Sequence, residues 1–217
     1  MTIRIVLVDD QALVRSGFAM VINSQDDMEV VGECSDGTEV LGQLAATPCD
    51  LVVMDIRMPQ LDGVAATRAV MERYGDDAPR ILILTTFDTD EHLVSALQAG
   101  ASGFLLKGAR PDELLSGIRS IASGEAVLAP SATRRLLQQF SPVVPSAQVD
   151  DQRLDSLTER EREVLAEVCT GATNPEIAAS LHMAEGTVKT HIGRLLHKTQ
   201  SRDRVGLVLF AHDVGLL

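Results

Sequence analysis

Three aspartates follow short apolar runs in the first half of the chain. Asp9 and Asp10 come directly after Ile3–Val8, and Asp55 comes directly after Leu51–Met54. A single aspartate after a strand is usually a turn residue or a helix cap, but three that meet would repel one another unless a cation were bound. Carboxylate oxygens are ligands that suit Mg²⁺. We therefore predict a magnesium site if both runs are strands whose carboxyl ends lie together.

Two further polar residues follow later apolar runs. Thr85 comes after residues 81–84, and Lys107 comes after Gly103–Leu106. A lysine at such a position is usually a plain surface charge, so the prediction rests on the whole set. That set suits phosphoryl transfer: the Asp55 carboxylate would be the nucleophile, Mg²⁺ and Lys107 would neutralise the phosphoryl oxygens, and the Thr85 hydroxyl would hold one of them.

These residues can meet only if the runs form a parallel sheet. Five short runs, most of them continuously apolar, alternate with stretches of helical length, which is typical of strands buried on both faces. We predict an α/β fold with a doubly wound, five-stranded parallel sheet, in which ligands bind beyond the carboxyl ends of the strands. The predicted strands are Ile3–Val8, residues 29–33, Leu51–Met54, residues 81–84 and Gly103–Leu106.

The pattern changes after residue 123. Residues 124–152 contain three prolines and several serines, and we interpret them as a linker with one short helix at 132–140. From residue 153 the pattern is helical only. Thr158 and Glu161 form a capping box that opens one helix. Asn174, followed by Pro175 at the first helical position, is predicted to cap the next helix.

A third helix in this half is amphipathic. Val188, Ile192, Leu195 and Leu196 recur at helical spacing, and a tight turn at residues 182–184 separates this helix from the one before it. The arrangement indicates a helix-turn-helix whose second helix enters the major groove of DNA. The alternative from the pattern alone is an ordinary helical bundle with a charged, solvated face.

The charge is distributed unevenly over the 217 residues. Residues 1–152 hold 11 Lys and Arg against 22 Asp and Glu, whereas residues 153–217 hold 8 against 9. The basic residues after 188 cluster, as expected for contacts with DNA phosphates. No apolar run is long enough for a membrane span, and no secretory signal is evident. Three well-separated cysteines do not suit a disulfide framework, so we expect a cytoplasmic protein.

Residues 1–123 closely resemble the receiver domain of response regulators, which has a flavodoxin-like fold. The resemblance implies that Asp55 is the phospho-acceptor and that Asp10, Asp55 and the Arg57 backbone carbonyl bind Mg²⁺, with Asp9 acting through water. It also implies that Thr85 is the switch hydroxyl and Phe104 the aromatic rotor. The matching motifs are Val8-Asp9-Asp10, Met54-Asp55-Ile56-Arg57-Met58-Pro59, Asp62-Gly63, Leu84-Thr85-Thr86 and residues 102–107.

Residues 153–217 resemble the LuxR-type output domain, through residues 157–165, 174–178, 185–191 and 202–205. Together the two halves resemble the NarL/LuxR family of response regulators. This implies a DNA-binding transcription factor of a two-component system that a sensor histidine kinase phosphorylates and that dimerises on promoter half-sites. Ala184 stands where the family commonly has a capping serine, and Gly193 where a base-reading side chain is common. The expected DNA-contacting residues are Thr187, Lys189, Thr190, Arg194, Lys198 and Arg202.

Two alternatives remain open at this stage. One is a helix-turn-helix transcription factor that does not need phosphorylation and uses the first domain as a dimer scaffold. The other is a metal-dependent phosphatase with an aspartyl intermediate. Arg57, two residues beyond Asp55, argues against the phosphatase because a second acid is expected there. We therefore expect no enzymatic turnover.

Overall fold

The computed structural model describes residues 2–86, 90–123, 127–128 and 152–216, with backbone alone at residues 90–93, 127–128, 152 and 213. The chain divides into two compact units, Met1–Val127 and Leu128–Leu217. The predicted helix at 132–140 lies outside the described residues, as does most of the predicted linker.

The N-terminal unit is the predicted α/β fold. Every predicted strand is present and differs from the prediction by at most one residue at either end. Its elements are β1 (Ile3–Val8), α1 (Ala12–Asn23), β2 (Met28–Cys34), α2 (Val40–Ala46), β3 (Leu51–Met54), α3 (Gly63–Tyr74), β4 (Arg80–Thr85), α4 (Asp90–Gln98), β5 (Gly103–Leu106), α5 (Pro111–Ala122) and β6 (Val127–Leu128).

The strand order of the sheet is β2-β1-β3-β4-β5-β6, and β1 to β5 are mutually parallel. The chain leaves β1 toward one edge to form β2 and then returns to place β3 on the other side, so the order reverses beside β1. Val8 pairs with Met54 in the β1–β3 register. Asp9 and Asp55 therefore begin neighbouring loops at this reversal. The short β6 was not predicted and falls within the segment expected to be linker.

Helices cover both faces of the sheet. On one face α1 and α5 contribute Ile22 and Ile118, which have no exposed surface and belong to the same apolar cluster as alternate strand residues. On the other face the Thr67 hydroxyl of α3 donates to the Gly63 carbonyl at 2.7 Å and lies 3.9 Å from the Met54 sulfur of β3. Burial on both faces explains why these strands are continuously apolar rather than alternating.

Residues 152–216 of the C-terminal unit form helices joined by short turns. The capping box at Thr158 and Glu161 is confirmed, and Ala184 begins its helix without a side-chain cap. The helix Glu185–Thr199 packs on the other four helices, and Val188, Ile192 and Leu195 are buried as predicted. The helices are α6 (Gln152–Asp155), α7 (Glu159–Cys169), α8 (Asn174–Ser180), α9 (Glu185–Thr199) and α10 (Arg204–Asp213).

The predicted cap of α8 is wrong by one residue. The side chain that caps it is Thr173, which accepts from the Glu176 N–H, while Glu176 accepts in return from the Thr173 N–H. Asn174 is instead the first helical residue and is buried, where its side-chain oxygen accepts from Arg204 at 3.1 Å. Pro175 therefore occupies the second position.

In the described residues, no helix is both long and apolar enough to cross a bilayer.

Gly63, the first residue of α3, lies against the backbone of Asp55. A Cβ at position 63 would stand 2.1 Å from the Asp55 carbonyl oxygen and 3.0 Å from the Ile56 Cα. Gly63→Ala should therefore destabilise the N-terminal unit by about 1–3 kcal/mol, because backbone atoms would have to shift. Urea unfolding of the full chain, followed by circular dichroism, measures this.

Gly17→Ala is the matched control for this substitution. Gly17 lies in α1, and a Cβ there would meet nothing within 4 Å. Alanine is the better helix former, so Gly17→Ala should leave stability unchanged or raise it by up to about 1 kcal/mol. Equal unfolding midpoints for the two variants would contradict the close approach of α3 to Asp55.

Candidate functional site: an acidic crevice and a helix-turn-helix

Asp9, Asp10 and Asp55 meet at the carboxyl edge of the sheet, as predicted. Each offers a carboxylate oxygen, and the three oxygens lie within 4.8 Å of one another. Asp9 and Asp55 are buried, whereas Asp10 is exposed. The arrangement places two buried carboxylates beside one that is open to solvent, and all three offer the hard oxygen atoms that a divalent cation binds. This donor set fits Mg²⁺, which prefers carboxylates together with retained water.

Lys107 lies within the crevice rather than on the surface. Its Nζ is 2.7 Å from the Asp55 Oδ2 and 2.7 Å from the Asp9 Oδ2, and its side chain is 7% exposed. The Lys107 N–H donates to the Thr85 carbonyl at 2.8 Å, so the pairing of β4 with β5 fixes the position of the Lys107 backbone. The ammonium thus neutralises part of the repulsion between the two buried carboxylates.

The electrostatics of the pair follow from this burial. Desolvation raises the pKa of Asp55, against the opposing effect of the Lys107 hydrogen bond. Desolvation alone would lower the pKa of Lys107, but its bonds to Asp55 and Asp9 outweigh that and raise it. Lys107 therefore remains a cation at neutral pH, and burial makes the ionised form of Asp55 costly even beside this cation.

Backbone contacts fix the acidic loops. The Asp55 N–H donates to the Val8 carbonyl at 2.8 Å, and the Arg15 guanidinium donates to the Asp9 carbonyl at 2.5 Å. Arg15 also pairs with Glu33 at 2.8 Å, which ties α1 to β2. The sequence did not identify Arg15, because only its position one turn into α1 brings it to this loop.

The remaining predicted residues of this site are placed as follows. Thr85 ends β4 and is buried, and Phe104 is buried in β5. Ile83 of β4 pairs with Phe104 of β5, and Thr85 is two residues beyond Ile83. Thr85 and Phe104 therefore lie on the same face of the sheet, opposite α1 and α5. The Arg57 side chain is exposed in the loop after β3. The switch roles of Thr85 and Phe104, and the Arg57 carbonyl as ligand, stay predictions.

The helix-turn-helix is formed by α8, the turn after it and α9. His182 in this turn has a φ of 51°, a left-handed conformation typical of the residue that follows the end of a helix. Of the expected DNA contacts, Thr187, Lys189, Thr190 and Arg194 are exposed on α9, and Arg202 is half-buried beyond its end. The Lys189 ammonium pairs with Glu185 at 3.2 Å on the helix surface. A face with these donors suits contacts with phosphates and base edges.

Lys198 differs from the other basic residues of α9. Its Nζ lies 2.7 Å from the Glu161 carboxylate, which is 3% exposed, and it also donates to the Ser156 carbonyl. Burial alone would raise the pKa of Glu161, but bonds from Lys198 and from Thr158 outweigh it and lower the pKa. Lys198 therefore joins α9 to the start of α7, and its contact with DNA stays a prediction.

Comparison with known proteins finds a matching family for each half of the chain. Residues 5–119 match the response regulator receiver domain, and residues 155–211 match the luxR family of bacterial regulatory proteins. The chain therefore belongs to the NarL/LuxR family of response regulators, in which a receiver precedes a DNA-binding helix-turn-helix. As a member, it is a transcriptional regulator of a two-component system.

Particular relatives cover nearly the whole chain. The nitrate/nitrite response regulator homologue of Haemophilus influenzae is 39% identical over 96% of both chains. The oxygen regulatory protein NreC of Staphylococcus carnosus is 35% identical over 99% of both. Among solved structures, the response regulator ChrA of a heme-sensing two-component system is 35% identical with a TM-score of 0.52, covering 100% of this chain and 99% of that one.

The raised pKa of Asp55 makes a prediction about stability in the absence of divalent cations. As pH rises, the unfolded chain ionises Asp55 first, at its ordinary value, while the folded protein still holds the proton. Wild-type stability therefore falls through that window, which extends upward from about pH 4. Asp55→Asn cannot titrate at this position, so its melting temperature relative to that of the wild type should rise from acidic to neutral pH. Thermal melts in EDTA measure this difference, and a difference that moves in the opposite direction as pH rises would contradict it.

Lys198→Met should destabilise the C-terminal unit by about 1–3 kcal/mol, because it leaves the buried Glu161 carboxylate without its cation. The lowered pKa of Glu161 means that its contribution is present above about pH 4.5 and is lost as pH falls through the folded value. The deficit of the variant should therefore be largest near neutral pH, as measured by urea unfolding. Lys189→Met, whose exposed pair contributes little, is the control. Equal losses in both variants would disprove the structural role of Lys198.

Proposed function

We propose that phosphorylation of Asp55 by a sensor histidine kinase activates this regulator, which then dimerises and binds a promoter with two half-sites. The observation that carries the proposal is the Asp55 carboxylate, bonded to Lys107 and grouped with Asp9 and Asp10 in one crevice. Phosphoryl transfer to a carboxylate needs that carboxylate as nucleophile, a nearby cation and further carboxylates to bind a metal ion. These four side chains together provide all three.

The reaction is a displacement at phosphorus. An oxygen of Asp55 forms the new bond, the P–N bond of a phosphohistidine breaks, and the imidazole leaves with the bonding electrons and takes a proton from water. Lys107 neutralises charge on the transferred group. Asp9, Asp10, Asp55 and the Arg57 carbonyl would hold Mg²⁺, which supplies further neutralisation and orientation of the phosphoryl oxygens. Asp9 would act through water, as the family resemblance implies.

The switch is proposed to start at Thr85. The phosphoryl group adds about −1.5 to −2 charges and new acceptor oxygens, which the Thr85 hydroxyl can approach. Phe104 would then fill the space that Thr85 leaves, and the surface of β5 would repack. Leu106, two residues along on the same face as Phe104, is 39% exposed, so this surface already carries an apolar side chain that a second protomer could cover.

DNA recognition is assigned to α9. Lys189, Arg194 and Arg202 would hold phosphates, which sets register without sequence preference. Lys198 is a further expected DNA contact. Lys189 and Thr190 are the best candidates for base edges, with Thr187 at the start of the helix. Because this regulator would take its phosphoryl group from a cytoplasmic kinase domain and act on DNA, we place it in the cytoplasm. No catalytic turnover is expected beyond its own phosphorylation.

The proposal predicts that phosphorylation changes both assembly and DNA affinity. Acetyl phosphate with Mg²⁺ should shift the full chain toward dimer in sedimentation velocity. Selection from a random duplex library should recover two related half-sites, bound more tightly by the phosphorylated protein. Asp55→Asn should show neither change. Equal DNA affinity with and without phosphorylation would favour the alternative, in which the receiver is a scaffold only.

A further inference from the structure

Asp36 joins two turns that lie far apart in the chain. It is buried between β2 and α2, and its carboxylate accepts four hydrogen bonds. Oδ2 accepts from the Gln60 N–H at 2.9 Å, and Oδ1 accepts from the Leu61 N–H at 3.2 Å. Oδ1 also accepts from the Thr38 N–H and hydroxyl, at 3.0 and 2.9 Å. The loop after β3 is thus attached to the turn after β2.

The neighbouring glycine allows this close approach. A Cβ on Gly37 would stand 2.4 Å from the Leu61 carbonyl oxygen and 3.0 Å from the Ala66 Cβ. The turn that carries Asp36 therefore packs directly on the backbone of the loop after β3. The N–H bonds from Thr38 and Gln60 also hold the pKa of Asp36 below its ordinary value. Asp36 is accordingly an anion at neutral pH, although it is not among the three carboxylates of the crevice.

The loop of residues 56–62 is fixed at two places. Near Asp55, the Gly63 N–H donates to the Ile56 carbonyl at 2.8 Å. Farther along, Asp36 holds Gln60 and Leu61. Arg57, whose carbonyl is assigned to the cation, lies between these two attachments. The path of the chain at Arg57 is therefore set partly by a carboxylate that does not reach the crevice.

We propose that Asp36 is a positioning residue for the magnesium site, because it holds loop 56–62 so that the Arg57 carbonyl can act as a ligand. This inference rests on the proposed function, and it adds a residue outside the crevice to those that determine the affinity for Mg²⁺. Groups that orient the ligands of a metal typically contribute about 10–100-fold to its affinity. A purely structural role would lower stability and leave the affinity of the folded protein unchanged.

The test compares Asp36→Asn and Asp36→Ala with the wild type in the full chain. Titration calorimetry gives Mg²⁺ affinity, and the phosphorylation rate from acetyl phosphate is measured over a range of Mg²⁺ concentrations. Asp36→Asn is decisive because it keeps one acceptor oxygen and the size of the side chain. Asp50→Asn is the control for the loss of a carboxylate that accepts a backbone N–H away from the crevice: Asp50 is exposed, accepts the Arg4 N–H at 2.8 Å and precedes β3.

We expect Asp36→Asn to weaken Mg²⁺ binding about 10-fold, and Asp36→Ala to weaken it more. The rate at saturating Mg²⁺ should stay near that of the wild type, and Asp50→Asn should bind Mg²⁺ normally. Unchanged affinity in folded Asp36→Asn would overturn the inference while the proposed function stands. A wild type that neither binds Mg²⁺ nor accepts phosphate would overturn both.

Discussion

The Lys107 ammonium, 2.7 Å from both Asp9 and Asp55, makes the acidic crevice possible in a folded protein. Two buried carboxylates side by side would repel each other and lose hydration, and each effect favours their protonated forms. The Lys107 ammonium offsets these costs by pairing with the two buried carboxylates, whereas the third carboxylate, Asp10, is exposed to solvent. The site thus contains more negative charge than its own cation can neutralise, which favours the addition of a metal ion.

The sheet supports this arrangement through its strand order. The reversal beside β1 brings the loops of Asp9 and Asp55 together, and the pairing of β4 with β5 delivers Lys107 next to Thr85. The charged groups sit on strand ends whose apolar residues are buried on both faces. A rigid core can therefore hold like charges at close range.

The sequence predicted the crevice well, because each of its residues follows an apolar run whose strand assignment needs only local patterning. It did not predict the role of Asp36, whose partners Gln60 and Leu61 are 24 and 25 residues away. It also missed Thr173 as a cap, although the spacing of Thr173 and Glu176 is that of a capping box and Ile177, three residues after Asn174, cannot serve the same role. Lys198 falls on a polar face by helical spacing, yet Glu161 of a different helix binds it.

The account depends on Asp55 being the residue that takes the phosphoryl group with the help of Lys107. Peptide mass mapping after incubation with acetyl phosphate and Mg²⁺ tests this directly. We predict one added phosphoryl group, on the peptide that contains Asp55, and a strongly reduced yield in Lys107→Ala. A phosphoryl group on another residue, or none on the folded wild type, would contradict the account.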